Sequence, residues 1–374
     1  MKVGIDTFLC GHGRSGAGSY LLSLVQNLPS DKDIQFELFG SEMDRFTYCD
    51  AGGPVSYAGI KIHDSERAEI NWHLLHLSKF ALQQKYDAVL FPSADQIIPF
   101  TFFLPCAVVV QDIVSQGLKE NHAVRRLFRK YTLRHADKLI AASNHIKKDL
   151  CALGASSEKI EVIHPGIDHT LFYPHTEFEG DTVVIQPFSI KRPFIIYASR
   201  LSSAEKHHVE LIKAFSLFKK NTGLPHRLVL AGEAGAYTEE VSRAAAASEY
   251  GSDILITGHF PHEHLPELYS CADACIFPST AEGVGLPVIE AMATGITVAC
   301  AKAGALPEFA GDCALYFDSD NVEEMATVIE TAVTDEKVSE KLEKSGFEWT
   351  KRFSWDKTAE KIVSLMQSVN HQQP

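Results

Sequence analysis

Residues 279–295 read Ser279-Thr280-Ala281-Glu282-Gly283-Val284-Gly285-Leu286-Pro287-Val288-Ile289-Glu290-Ala291-Met292-Ala293-Thr294-Gly295. Pro278 closes an apolar run, Ala274–Phe277, that has the length and flanks of a buried strand. Gly283 and Gly285 open a loop, Pro287 suits a first helical turn and Gly295 suits the residue past a helix end, so the spacing predicts a helix over 286–294. The unpaired N–H groups and the dipole at such a helix start form an anion site that a diphosphate would fill. Glu290 falls about one turn inside. Helical side chains lean toward the N-terminus, so its carboxylate reaches a group held there, and the hydroxyls of a ribose suit it. Glu282 lies on the loop ahead of the helix, where a carboxylate meets a sugar rather than a phosphate. The plainer reading is a capped surface helix with two solvated glutamates, but the Gly, Pro and Glu positions all point to the ligand site together.

This strand, loop and helix belong to a series. Short β-branched runs alternate with longer amphipathic stretches along the whole chain, the pattern of βα units in parallel sheets rather than of a sandwich. A first series has candidate strands near Val3–Ile5, Ile34–Leu38, Ala88–Phe91, Ala107–Val110, Lys138–Ala141 and Glu161–Ile163. A second has Phe194–Ala198, Arg227–Ala231, Ile254–Thr257, Ala274–Phe277 and Thr297–Cys300, with helices over Val209–Lys220 and Leu286–Thr294. Between them, residues 172–193 carry Pro174, Pro187 and Pro193 without a helical period and read as a linker. Ala359, Ile362, Val363 and Met366 stand at helical spacing and predict a closing helix near 355–369. A chain of 374 residues exceeds one ordinary core, so two α/β domains are expected: 1–186, joined by the C-terminal helix in 355–374, and 187–354.

Composition excludes several classes. Hydrophobic residues make up 45% and charged residues 22%, which is globular usage. A net charge of -13 argues against general nucleic-acid binding. The eight cysteines are scattered and form no C-x-x-C pair, which suits reduced thiols in a cytoplasmic protein. The N-terminus lacks the apolar core of a signal peptide. The apolar stretch Ile97–Val110 is broken by two prolines and too short to span a bilayer, so it reads as a loop leading into a buried strand.

Two further constellations carry chemistry. Gly11-His12-Gly13-Arg14-Ser15-Gly16 follows a strand and satisfies the bare G-x-G-x-x-G fingerprint. Gly16 and Gly18 also fit a pliable loop over a ligand, since glycines let backbone approach a bound group closely; a merely flexible connection is the third reading. The strand Phe194–Ala198 runs into Arg200, with Lys206 six positions later. A planar fork and a point charge are the usual pair for a diphosphate whose negative charge grows as it leaves. They would do the work of a metal. Two solvated surface cations are the plain alternative.

Together these residues resemble the retaining glycosyltransferases of family 4, with a GT-B fold of two Rossmann-like domains whose parallel sheets face a central cleft. The resemblance is strongest over residues 194–319. Glu282 and Glu290 match the family's E-x7-E motif, in which the first acid approaches the donor sugar and the second holds the ribose; Gly283, Val284, Gly285 and Leu286 would offer backbone to sugar and phosphate. Arg200 and Lys206 match its basic pair on the diphosphate. Gly304-Ala305-Leu306-Pro307-Glu308 with Gly311-Asp312 matches a later stretch, Gly16-Ala17-Gly18-Ser19-Tyr20 its glycine loop, and His164-Pro165-Gly166-Ile167-Asp168 with Phe172 its pre-linker signature. Members commonly have His-Asp where this chain has Gln111-Asp112. Gln111 donates a hydrogen bond but cannot shuttle a proton, and Asp112 is a contact for acceptor or sugar, or simply caps a turn.

The resemblance implies transfer of a hexose, mannose or glucose, from a GDP- or UDP-linked donor in the second domain to a glycan or lipid-linked acceptor on the first. It implies retention of anomeric configuration, and no metal or cofactor is expected. The backbone at Gly258 and His259, just past a strand, would meet the nucleotide base. His259, His262 and His264 lack the spacing of a helical zinc pair. His12 and His207 read as ordinary polar surface residues, with a cleft-lining role as the alternative. Arg125, Arg126, Arg129, Lys130, Arg134 and Lys138 gather on an amphipathic stretch that reads equally as a solvated helix or as one that rests on anionic lipid at the inner face of the membrane. Two rival classes are a nicotinamide-dependent oxidoreductase using Gly11–Gly16 and a catalytically silent nucleotide-sugar binder.

Overall fold

The runs Cys106–Val110 and Phe194–Ala198 are buried at every position. Strands with no polar face need cover on both sides, which a parallel sheet between helical layers supplies. The computed structural model describes residues 1–30, 33–49, 55–94, 98–113, 123–175, 180–185 and 188–370. It divides into two compact units, Met1–Gly166 with Phe353–Pro374, and Ile167–Arg352.

The first unit holds a sheet of seven strands, β1 (Lys2–Asp6), β2 (Gln35–Ser41), β3 (Ser56–Ile60), β4 (Ala88–Phe91), β5 (Cys106–Val110), β6 (Lys138–Ala141) and β7 (Ile160–Val162). All pairs are parallel and the order is β3-β2-β1-β4-β5-β6-β7. Edge strand β3 is absent from the sequence expectation. Its Ser-Tyr-Ala-Gly-Ile carries few strand formers and an interior glycine, which weakens the local signal. The closing helix, Trp355–Asn370, belongs to this unit. Its Ala359, Ile362 and Met366 are buried in the cluster that holds Val3, Ile5, Leu21 and Leu24. Trp355 meets Tyr20 edge-on at 5.1 Å, and Thr358 Oγ1 donates to His164 O at 2.8 Å. Each such large side chain removed from water contributes about 1.5–3 kcal/mol.

The second unit opens with an antiparallel hairpin, β8 (Thr182–Ile185) and β9 (Phe188–Lys191). The structure thereby corrects the reading of 172–193 as a linker: Val183 and Ile190 alternate inward with exposed neighbours, a period of two that the prolines obscured. The unit also starts upstream of the expected 186/187 boundary, which itself lies outside the described residues. The reason is packing: Phe172 is buried, and His175 N donates to Ser270 Oγ at 3.1 Å. The main sheet has β10 (Phe194–Ala198), β11 (Arg227–Ala231), β12 (Ile254–Gly258), β13 (Ala274–Phe277), β14 (Val298–Ala301) and β15 (Leu315–Phe317). It is parallel throughout, in the order β12-β11-β10-β13-β14-β15. Edge strand β15 has only three residues and was likewise not expected. Among the described residues no helix is long and apolar enough to cross a membrane.

Candidate active site

In the second sheet the order reverses at β10, which has β11 on one side and β13 on the other. Connections leaving β10 and β13 therefore diverge, and the crevice at their carboxyl ends is where open parallel sheets bind ligands. The loop after β10 carries Arg200 and Lys206. The loop after β13 carries Ser279 to Gly285.

Backbone and side chains lace these loops together. Thr280 N donates to Glu205 O at 3.0 Å, and His207 Nε2 lies 3.1 Å from Thr280 Oγ1. Lys206 Nζ donates to Glu282 Oε1 at 2.6 Å, so the two groups assigned from sequence to diphosphate and sugar are each other's partners. Tyr197, fully buried on β10, donates its hydroxyl to Lys206 O at 3.0 Å. Burial, and next the charge of Glu282, hold the Tyr197 phenol well above its ordinary pKa. A third loop supports the acid: Ala305 N donates to Glu282 O at 3.0 Å. Gly304 has φ +58, and a Cβ there would stand 2.8 Å from Glu282 O, so the position requires glycine. His207, expected at the surface, is instead tied into this lacing, with Glu210 Oε2 at 3.6 Å from its Nδ1.

The helix Leu286–Ala293 starts at Gly285, which offers no side-chain cap, and has Pro287 in its first turn. Pro287 has no N–H and Val288 N donates to Gly285 O at 3.0 Å, so what this start offers an anion is Leu286 N and the helix dipole. Glu290 lies on this helix, only 8% exposed. Its Oε1 accepts from His262 Nε2 at 3.3 Å. The hydrogen bond to Glu290 is the main cause that raises the His262 pKa above 6.5, with burial opposing it. His262 was considered from sequence only as a metal ligand; its pairing with a residue 28 positions away left no local signal. Arg200 is exposed. His259 is exposed immediately after β12, behind Gly258 at φ +72. Among the described residues no group of three or more His, Cys, Asp or Glu is arranged to hold a metal ion.

The first sheet reverses between β1 and β4. The loop after β1 ends at Ser15, whose hydroxyl caps the helix Gly16–Gln26 by accepting from Gly18 N at 3.1 Å. A Cβ on Gly18 would collide with Cys10 O, which explains that glycine by close approach. The same loop is fastened by acids. Leu9 N donates to Glu69 Oε2 at 2.8 Å, and His12 is bound by Asp44 at 2.6 Å and Asp64 at 3.3 Å. His12 is therefore not a free surface residue. Beneath it, His73 and Asp6 form a fully buried pair at 2.6 Å. Burial opposes charging His73, but the charge and hydrogen bond of Asp6 carry its pKa above the ordinary value. None of Asp6, Glu69 or His73 was singled out in the sequence, where each is a lone residue in a helical or strand pattern.

Gln111 follows β5, and its Nε2 donates to Pro92 O at 3.4 Å, at the end of β4. Asp112 beside it is exposed. The basic stretch forms the helix Ala123–His135, in which Lys130 and Arg134 are exposed and Tyr131 contacts Phe100 at 4.4 Å. The side chains of Arg125 and Arg126 lie outside the described residues.

Two α/β units, each a parallel sheet with its reversal loops at the carboxyl ends, define the GT-B class. Known proteins agree. The model for glycosyl transferases group 1 matches residues 183–349, and that for glycosyltransferase family 4 matches residues 14–171. The chain belongs to the family 4, group 1 glycosyltransferases. It is 30% identical over 154 residues to O-antigen chain mannosyltransferase B of Escherichia coli, covering 41% of this chain and 40% of that relative. The chain spans about half the length of the curated relatives it matches. Sucrose-phosphate synthase from Thermosynechococcus elongatus shares the fold with TM-score 0.74 at 17% identity, covering 100% of both chains. Anabaena HepE in complex with UDP and glucose does so with TM-score 0.72 at 19% identity, covering 98% of this chain and 100% of that one.

Proposed function

We propose that the chain transfers a hexose, mannose or glucose, from a GDP- or UDP-linked donor to a glycan or lipid-linked acceptor, retaining configuration at the anomeric carbon. The observation that carries this reading is the convergence of Lys206, Glu282 and the uncapped helix start at the point where the second sheet reverses. In this reading the diphosphate sits against that helix start, drawing Lys206 from Glu282 and engaging Arg200. Glu282, released from the ion pair, accepts from the sugar hydroxyls. Val284 and Leu286 present backbone to sugar and phosphate, and Gly283 and Gly285 let it approach. Glu290 accepts from the ribose, and the backbone at His259 meets the base.

The bond from the anomeric carbon to the diphosphate oxygen breaks, and the bond to the acceptor oxygen forms on the same face. The acceptor's proton passes to the departing diphosphate. Arg200, Lys206 and the helix dipole stabilise the charge that develops there, so no metal is given a part. Gln111 and Asp112 bind hydroxyls rather than move a proton. The mannosyltransferase relative and the UDP and glucose bound to HepE support donors of this class. The protein works in the cytoplasm, with Lys130, Arg134 and the rest of the basic helix meeting anionic lipid at the membrane's inner face.

The test is proton NMR of UDP-glucose and GDP-mannose incubated with the protein and simple glycan acceptors. Appearance of a glycoside with the donor's anomeric configuration supports the reading. A product of inverted configuration contradicts retention, and persistence of both donors with every acceptor contradicts transfer from them.

A further inference from the structure

Glu290 carries a carboxylate that is almost entirely withdrawn from water, and such a group is costly unless something bonds to it. Its hydrogen bond among the described residues comes from His262 Nε2, to Oε1 at 3.3 Å. Oε2 accepts no hydrogen bond among the described residues. His262 is itself held in place. It opens the short turn His262–His264 behind Pro261, whose ring restricts the entering backbone. The buried Phe172 meets its ring edge-on, with centroids 5.2 Å apart. Asp168 and Glu263 face it with Glu290, and all three carboxylates favour its charged form. Asp168 is fixed in turn by Thr170, whose N and Oγ1 donate to Asp168 Oδ1 at 2.8 and 2.7 Å.

We propose that His262 is a positioning residue for Glu290, fixing one carboxylate oxygen so that the other receives the ribose hydroxyls of a nucleoside diphosphate. The proposal rests on the donor-site reading of Glu290 given above. It predicts that His262 matters only when a ribose with hydroxyls is present.

Calorimetric titration separates the two ideas. UDP, GDP and their 2′,3′-dideoxy forms are titrated into wild type, H262A, H262Q and E290Q. H262A loses about fivefold in affinity for the ribose-bearing diphosphate, the size of one net hydrogen bond. H262Q, whose amide can still donate, recovers most of that. The dideoxy form binds wild type and H262A equally. Equal losses for both nucleotides in H262A would make His262 a packing residue and overturn the proposal. So would full affinity in H262A when E290Q has lost its preference for the ribose-bearing form. If E290Q keeps that preference, or wild type binds neither nucleotide, the donor-site reading of Glu290 fails and the proposal goes with it.

Discussion

Lys206 Nζ is committed to Glu282 Oε1 at 2.6 Å, so a diphosphate entering this site competes with a carboxylate. The two side chains are 22% and 16% exposed, where such contacts hold better than at an open surface. Next to it, His208 is fully buried at the start of the helix His208–Thr222. Burial pulls its pKa from 6.5 to about 4, the Lys206 charge adding and the Ser199 backbone opposing. The unfolded chain therefore takes up a proton near pH 6.5 that the native protein refuses until about pH 4. Stability present above that window is lost as pH falls through it, by up to about 3 kcal/mol. The variant H208L should lose less between pH 7.5 and 4.5 than wild type in denaturant titrations; parallel profiles would remove His208 as the cause. At this scale the sequence shows residue types but not partners. Glu282 and Glu290 stood out through their Gly and Pro surroundings, and Arg200 and Lys206 through their place just past a buried strand, whereas the Lys206–Glu282 bond joins positions 76 apart and has no local signature.

The site's precision comes from three loops bonded to one another, and Gly304 is where one of them turns toward Glu282 O. A side chain there adopts a left-handed backbone at a cost of about 1–2 kcal/mol and also displaces the Glu282 carbonyl. We expect G304A to lower the unfolding midpoint and to weaken nucleoside diphosphate binding together, measured by denaturant titration and calorimetry. Unchanged values for both would mean the loop is not held as described. Elements with continuous apolar runs were readable with correct ends, as at Phe194–Ala198 and Arg227–Ala231, because burial on both faces imposes its own composition. Edges were not. Ser56–Ile60 and Leu315–Phe317 gain their strand form from a neighbour's ladder rather than from their own residues. The hairpin over 182–191 was hidden because Pro187 and the acids upstream of it resemble linker chemistry.

For the whole molecule, the two sheets repeat one design, a parallel order that reverses beside its first long strand, and the fold was legible because that βα rhythm runs the length of the chain. Trp355–Asn370 belongs to the first unit, the domain to which the sequence expectation joins it, but its partners there, Tyr20 and His164, left no local signature. Everything proposed about function rests on the second unit binding a nucleoside diphosphate at its reversal point. The direct measurement is calorimetric titration of UDP, GDP and NAD into wild type, R200A and K206A. A nucleoside diphosphate should bind wild type, each variant should lose about tenfold or more through the missing charged hydrogen bonds, and NAD should not bind. Undiminished diphosphate binding in both variants, or binding of NAD in its place, would contradict the proposed donor site.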